Sequence, residues 1–226
     1  MAVLIRGMHW CRGRAHAASG RSLRIDYKHT RDTLRKHAID ALRARGMHVD
    51  VYISSYMSPV HAEAARYFGA RAASFADGRS PESSQSRCMR DGLAMIPEAA
   101  KYDAILVLRF DLELLRPLTY LLDTTVSDRG LNNVTLLWRE KSDGQPVADC
   151  IHVIPGTACA AFIAALDECP TTRDMHWILP HLTAHNLTVR FAHDDKCYDS
   201  NSDNEPNPTY RIVRTHVLQP TVARLA

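Results

Sequence analysis

The segment Ala104-Ile-Leu-Val-Leu108, closed by Asp103 on one side and Arg109 on the other, limits the folds open to this chain more than any other stretch. Consecutive apolar residues held between charges read as a strand buried on both faces, which is the mark of a parallel sheet covered by helices. Weaker versions recur. Ala2-Val-Leu-Ile5 stops at Arg6-Gly7, Val49-Asp-Val-Tyr-Ile-Ser54 alternates, and further strands are expected at 70–75, 134–138, 150–154 and 187–191. Helical spacing falls between them. Over 30–45 it sets Leu34, Ala38, Ala41 and Leu42 on one face, with Gly46 as a stop signal. Other helices are expected at 85–100, 159–166 and 177–185, and Ser58-Pro59 opens one that runs to residue 65. Loops are expected at 9–28 (polar, rich in Arg and Gly), at 77–86 and at 201–208, with a turn at Ser142-Asp-Gly144. Strands alternating with helices predict an α/β fold, a mostly parallel central sheet flanked by helices. No linker divides the 226 residues, so a single domain is expected over 1–226.

Charge and cysteine content narrow the function. A formal charge of +3 with Arg and Lys scattered among acids is not the clustered basic stripe of a nucleic-acid binder, though it suits a small anionic ligand. The six cysteines are widely spaced, form no CxxC pair and read as reduced thiols, so a cytoplasmic protein is expected. The apolar run after Met1 is too short for a signal peptide or anchor, and no later segment reaches membrane-spanning length.

In an open α/β sheet, ligands collect beyond the carboxyl ends of the strands. That rule selects Arg6-Gly7, Ser54-Ser55 and above all Arg109-Phe-Asp-Leu-Glu113. Asp111 and Glu113 stand two apart after a buried strand, so an extended backbone turns both carboxylates to one side. Two such oxygen ligands can hold Mg²⁺ or Mn²⁺, which then neutralises a diphosphate leaving group. The competing reading is a pair of solvated acids, or an ion pair between Arg109 and Asp111.

The stretch Lys101-Tyr-Asp-Ala-Ile-Leu-Val-Leu-Arg-Phe-Asp-Leu-Glu113, followed by Leu115-Arg-Pro-Leu118, resembles the Asp-x-Asp region of GT-A glycosyltransferases. More narrowly it resembles small viral and capsular-polysaccharide enzymes whose strand ends in Arg-x-Asp. Val3-Leu-Ile-Arg-Gly7, Val49-Asp-Val-Tyr-Ile-Ser-Ser-Tyr56 and Val147-Ala-Asp-Cys-Ile-His-Val-Ile-Pro155 fit the same group. Glu113 stands where a second Asp is usual. The resemblance implies one GT-A-like, Rossmann-like domain: a nucleotide-binding half to about residue 100, a metal and acceptor half to about 200, and a tail. It implies a metal-dependent transferase that moves a sugar from a nucleotide-diphosphate sugar to a glycan or glycoprotein. In that frame Arg6, Gly7, Ser54, Ser55, Gln85 and Arg87 meet the nucleotide, with Ser84 capping the helix that carries the last two. Asp111, Glu113 and a late His193 ligate Mn²⁺ or Mg²⁺, and Arg109 holds the sugar or orients a carboxylate. Asp149 is the candidate general base of an inverting transfer. Each has a plainer reading as a turn, cap or surface residue, and His152 reads as a sheet histidine. Trp10 and Trp177 are candidates to stack on sugar or base.

Two other readings stay open. A nucleotidyltransferase also uses a carboxylate-bound metal, but Arg12-Gly-Arg14 only weakly imitates its Gly-rich, Lys-bearing loop. A non-catalytic nucleotide-sugar-binding module would leave Asp111 and Glu113 idle. Dehydrogenase and P-loop kinase readings fail for want of G-x-G-x-x-G and G-x-x-x-x-G-K.

Overall fold

The computed structural model describes residues 1–8, 10–16, 21–77, 84–126, 133–140, 146–169, 175–193, 197–198, 209–213 and 215–218. In chain order its strands are β1 (Ala2–Arg6), β2 (Trp10–His16), β3 (Arg21–Asp26), β4 (Asp50–Tyr56), β5 (Ala72–Ala76), β6 (Ala104–Arg109) and β7 (Leu112–Leu114). There follow β8 (Asn133–Leu136), β9 (Arg139–Glu140), β10 (Ile151–Pro155), β11 (Thr188–Phe191), β12 (Cys197–Tyr198), β13 (Tyr210–Ile212) and β14 (Thr215–Leu218). The first helix, α1, is α-helical over Arg31–Leu34, widens to π over Arg35–Asp40 and returns to α over Ala41–Ala44. The others are α2 (His61–Phe68), α3 (Gln85–Ala94), α4 (Thr119–Val126), α5 (Cys159–Glu168) and α6 (Leu179–Ala184).

Seven strands form the central sheet in the order β11-β8-β10-β6-β1-β4-β5. All run parallel except β10, which is antiparallel to both its neighbours. The sheet takes three strands from before residue 100 and four from after it. Its two faces are covered as the apolar runs require. Val3, Ile5, Leu106 and Leu108 face a core built with Leu34, Ala38 and Leu42 of α1 and Phe68 of α2. Ala2, Leu4, Ile105 and Val107 face the other, built with Met89 and Leu93 of α3, Phe162 of α5 and Leu182 of α6. Full burial of each such aliphatic side chain stabilises the fold by about 1.5–3 kcal/mol.

Two close approaches fix helices and turns against the sheet. A Cβ on Gly92 of α3 would lie 2.8 Å from the Ser54 Cβ and 2.9 Å from a Leu4 methyl, so the helix rests directly on β1 and β4. A Cβ on Gly156, just past β10, would lie 2.0 Å from the Tyr102 carbonyl oxygen.

Local reading passed over α4, β7 and β13, and it misplaced three further segments. The expected loop at 9–28 contains β2 and β3, which join β14 in a separate three-stranded antiparallel sheet. In β3, Leu23 and Ile25 alternate with Ser and Arg, a period of two that the Arg-rich composition concealed. The helix expected to residue 100 stops at Ala94, because Pro97 cannot continue it and Glu98 takes φ 48°. The helix begun at Ser58-Pro59 starts at His61 and runs on to Phe68, where Gly69 at φ 63° caps it. The expected turn at 142–144, the loop at 201–208 and residues 78–83 of the 77–86 loop lie outside the described residues. Among the described residues no helix is long and apolar enough to cross a membrane.

Candidate active site

The parallel strands end together at one edge of the sheet, and the reversed β10 begins there. With Ile151 opposite Leu108, the preceding Asp149 and Cys150 reach the level of Arg109. Arg6 and Arg109 are themselves register partners across β1 and β6. Four predicted residues from distant parts of the chain are thereby brought into one cluster: Arg6, Arg109, Asp111 and Asp149.

Arg109 is its centre. Its Nε and Nη2 donate to the two oxygens of Asp111 at 2.9 and 2.6 Å, and its Nη1 donates to both oxygens of Asp149 at 2.8 and 3.0 Å. The guanidinium therefore forms the ion pair that competed with the metal reading, and it bridges a second carboxylate as well. All three side chains are buried; Asp149 is 0% exposed. Arg6, also fully buried, donates from Nη2 to the Asp149 carbonyl oxygen and from Nη1 to the Gln85 side chain at 3.4 Å. Its Nε has no partner among the described residues.

Electrostatics follow from this packing. Burial opposes the charge on Arg109, yet Asp111 and Asp149 together push its pKa well above the ordinary value. Burial likewise opposes ionisation of Asp149, but Arg109, then His176 and Arg6, hold its carboxyl well below the usual range. An anion held in that way is a weak proton acceptor, so the general-base role suggested by its position meets an unfavourable environment. Cys150, beside both, is pushed up by burial. His152 is fully buried against Phe162, neither ring nitrogen has a partner among the described residues, and burial with Arg6 nearby lowers its pKa to about 3.

Beside this cluster lies a cleft of about 220 Å³, walled by the ends of β4 and β5 and the first turns of α3. Its lining is rich in hydroxyls: Ser54, Ser55, Tyr56, Ser74 and Ser84, with Arg87, Asp77 and Asp91. Ser84 caps α3 as expected, its Oγ accepting from the Arg87 N–H at 3.1 Å. Ser54 donates to the Cys88 carbonyl at 2.7 Å and so ties β4 to α3. Ser55 donates to the carbonyl oxygen of Gly7 at 2.5 Å. Gly7 needs no room for a side chain but sits at φ 88°, where glycine is favoured.

Two predicted metal ligands stand apart from the cluster's hydrogen bonds. Glu113 lies on β7, paired through its backbone with Arg211 of β13, and its side chain makes no hydrogen bond or ion pair among the described residues. His193 lies 3.4 Å from the Tyr120 hydroxyl, with its ring 6.0 Å from that of Trp138. Among the described residues no three His, Cys, Asp or Glu side chains are grouped to hold a metal ion. Trp177 closes a short 3-10 turn, and the side chain of Trp10 lies outside the described residues.

Residues that local reading passed over include His176, whose Nε2 is 3.9 Å from Asp149 and whose Nδ1 is 2.7 Å from the Val147 carbonyl oxygen. Tyr56, Ser74, Asp77 and Asp91 join the cleft. Only their places at strand ends and on α3 would have marked them.

A mostly parallel central sheet flanked by helices is the α/β arrangement expected from the sequence, and the reversal of β10 was not expected. No protein-family model and no curated protein matches the chain. Solved structures do. A nucleotidyl transferase from Methanothermobacter is 13% identical with a TM-score of 0.50, over 89% of this chain and 88% of that one. The synthetase of CMP-2-keto-3-deoxy-manno-octonic acid, solved with CTP, is 12% identical with a TM-score of 0.50, over 87% and 90%. A Drosophila β-1,4-galactosyltransferase 7 variant, solved with manganese, UDP-galactose and xylobiose, is 9% identical with a TM-score of 0.48, over 99% and 77%. The two likenesses with a TM-score of 0.50 show the fold.

Proposed function

We propose that this chain is a nucleotide-sugar-dependent glycosyltransferase acting on a glycan or glycoprotein. The observation that carries the reading is the hydroxyl-lined cleft at the ends of β4 and β5, set against the N-terminus of α3 and beside the Arg6, Arg109, Asp111 and Asp149 cluster. Serine hydroxyls suit the hydroxyls of a nucleoside, while the Arg87 guanidinium and the positive N-terminal end of α3 suit phosphate. At about 220 Å³ the cleft is smaller than the roughly 300–1,000 Å³ that encloses a drug-sized ligand, so it takes part of the donor and leaves the rest across the strand ends. Gly7, at the exit of β1, allows the backbone to lie close to that part. The narrower kinship with small viral and capsular-polysaccharide enzymes rests on the sequence resemblance, Arg109-Phe-Asp111 above all. The buried free thiols of Cys88, Cys150, Cys159 and Cys169 suit a reducing, cytoplasmic setting.

Nucleotidyl transfer is the second reading, favoured by the two solved structures with TM-scores of 0.50. The products separate the two. Nucleoside diphosphates should stabilise the fold, by about 2.7 kcal/mol at 100 times Kd. With nucleotide sugars and a panel of glycan acceptors, release of nucleoside diphosphate supports glycosyl transfer. Release of pyrophosphate from a nucleoside triphosphate and a sugar moves the chain to the second class, and a chain that binds but turns over neither is a binding module. If no nucleotide changes the melting temperature, both enzymatic readings fail.

A further inference from the structure

A divalent cation in such a transferase would be held by carboxylates at the end of β6, where Asp111 lies. The donor set found there does not fit one. Both oxygens of Asp111 and both of Asp149 accept from Arg109, at 2.6 to 3.0 Å. Glu113 and His193 take no part in these bonds, and no group of three ligating side chains is present among the described residues. A hard cation needs several oxygens with open lone pairs directed at one point. Here one lone pair of every carboxylate oxygen is directed at a guanidinium that cannot lose its proton, so a cation would have to displace Arg109 to reach both carboxylates face on. The formal charges of Arg6, Arg109, Asp111 and Asp149 also sum to zero, so the carboxylates present no net negative field to gather a cation or to repel a diphosphate.

We propose that Arg109 occupies the position a divalent cation would take, and that this chain binds its nucleotide without a cation at Asp111. The inference rests on the nucleotide reading above. Arg109 then acts as a positioning residue: it neutralises the two acids and fixes Asp111 in the turn after β6, whose Phe110 N–H donates to the Arg6 carbonyl at 3.1 Å. The positive field for the phosphates comes from Arg87 and the first turn of α3.

Calorimetry on the full chain with UDP, GDP, CDP and ADP, each with excess Mn²⁺ and again with EDTA, tests this. A Kd that changes by less than about twofold between the two conditions is expected, since a cation that does not bind has no coupling to the nucleotide. A loss of about tenfold or more in EDTA overturns the proposal and leaves the nucleotide reading standing. Absence of binding in both conditions removes the nucleotide reading, and the proposal with it. A second measurement uses Mn²⁺ alone, followed by electron paramagnetic resonance. The wild-type chain should leave the aqueous signal unchanged, whereas Arg109→Ala, which exposes Asp111 and Asp149 to one another, should take up about one ion per chain. Uptake by the wild type, or none by a folded Arg109→Ala chain, overturns the assignment of Arg109 to the cation's position. Should Arg109→Ala fail to fold, the wild-type titrations decide.

Discussion

Replacing Arg109 with Met removes the charge while keeping much of the side-chain volume, and it leaves Asp111 and Asp149 facing each other in a site where they are 4% and 0% exposed. At about 4 Å and an effective dielectric near 20, each lost ion pair is worth roughly 4 kcal/mol of attraction. Relief of the desolvation of Arg109 offsets much of this, and one carboxylate escapes repulsion by taking up a proton. Removal of one partner from a buried pair costs about 3–5 kcal/mol in practice, and that is the expected loss at pH 7. The loss should shrink below about pH 5, where protonation of a carboxylate is easier. Adding Asp111→Asn and Asp149→Asn to Arg109→Met removes every charge together, so the triple variant should recover to within about 1–2 kcal/mol of wild type. Urea unfolding followed through buried Trp138 reads all three chains, with an unchanged slope confirming that only stability has moved. An Arg109→Met loss below about 1 kcal/mol, or a triple variant less stable than Arg109→Met, refutes the coupling inferred from these distances.

The remaining predictions concern titration and backbone geometry. His152 is neutral in the fold, with its pKa lowered to about 3, while the unfolded chain protonates it near 6.5. Its depressed pKa means that stability is lost as pH falls below about 6.5, by up to about 1.4 kcal/mol per pH unit, and His152→Phe should flatten that slope in denaturation curves taken from pH 7 to 4. Asp149, held low by Arg109 against its burial, stabilises the fold above its unfolded pKa; that contribution fades as pH falls below about 4, and the triple variant should lack this acid limb. Gly156→Ala drives a Cβ into two backbone carbonyls and should cost at least about 3 kcal/mol in thermal or urea unfolding. Gly7→Ala meets no atom within 4 Å and should cost only about 1–2 kcal/mol, the strain of φ 88°. A Gly7 variant as damaging as the Gly156 one would show that contacts, not backbone angle, govern that turn.

Much of what depends on local pattern was legible in the chain. The apolar runs at 2–5 and 104–108 became β1 and β6 with both faces buried, since such runs have no other stable place. Ser84 became a cap because a hydroxyl before a helix satisfies a free N–H. The strand-end rule singled out Arg6, Arg109 and Asp111, which do meet. What could not be read is direction and partnership across distance. Nothing in Cys150-Ile-His-Val-Ile154 says that β10 runs backwards, and that reversal decides which end of the strand carries its acid to the site. Nothing near Arg109 says that it will claim both carboxylates, because Asp149 is 40 residues away. The edge made by β3 and β14 was hidden for the same reason, as its two strands lie at opposite ends of the chain.

Side-by-side arginines at the ends of β1 and β6 carry a consequence for how the molecule is made. As the chain leaves the ribosome, β1, β4 and β6 are complete before β10 exists. Arg6 and Arg109 then stand opposite each other in register without Asp149 to bridge them, a pairing of like charges that weakens the junction of β1 and β6. Arrival of β10 brings Asp149 between them, its side chain to one arginine and its carbonyl to the other, across 143 residues in the case of Arg6. A nascent chain that stops short of residue 149 should therefore have a weaker junction of β1 and β6 than the full chain. The late strand bridges the two arginines and completes the sheet in the same event, so a ribosome-bound chain should gain protease resistance only once residue 155 has emerged.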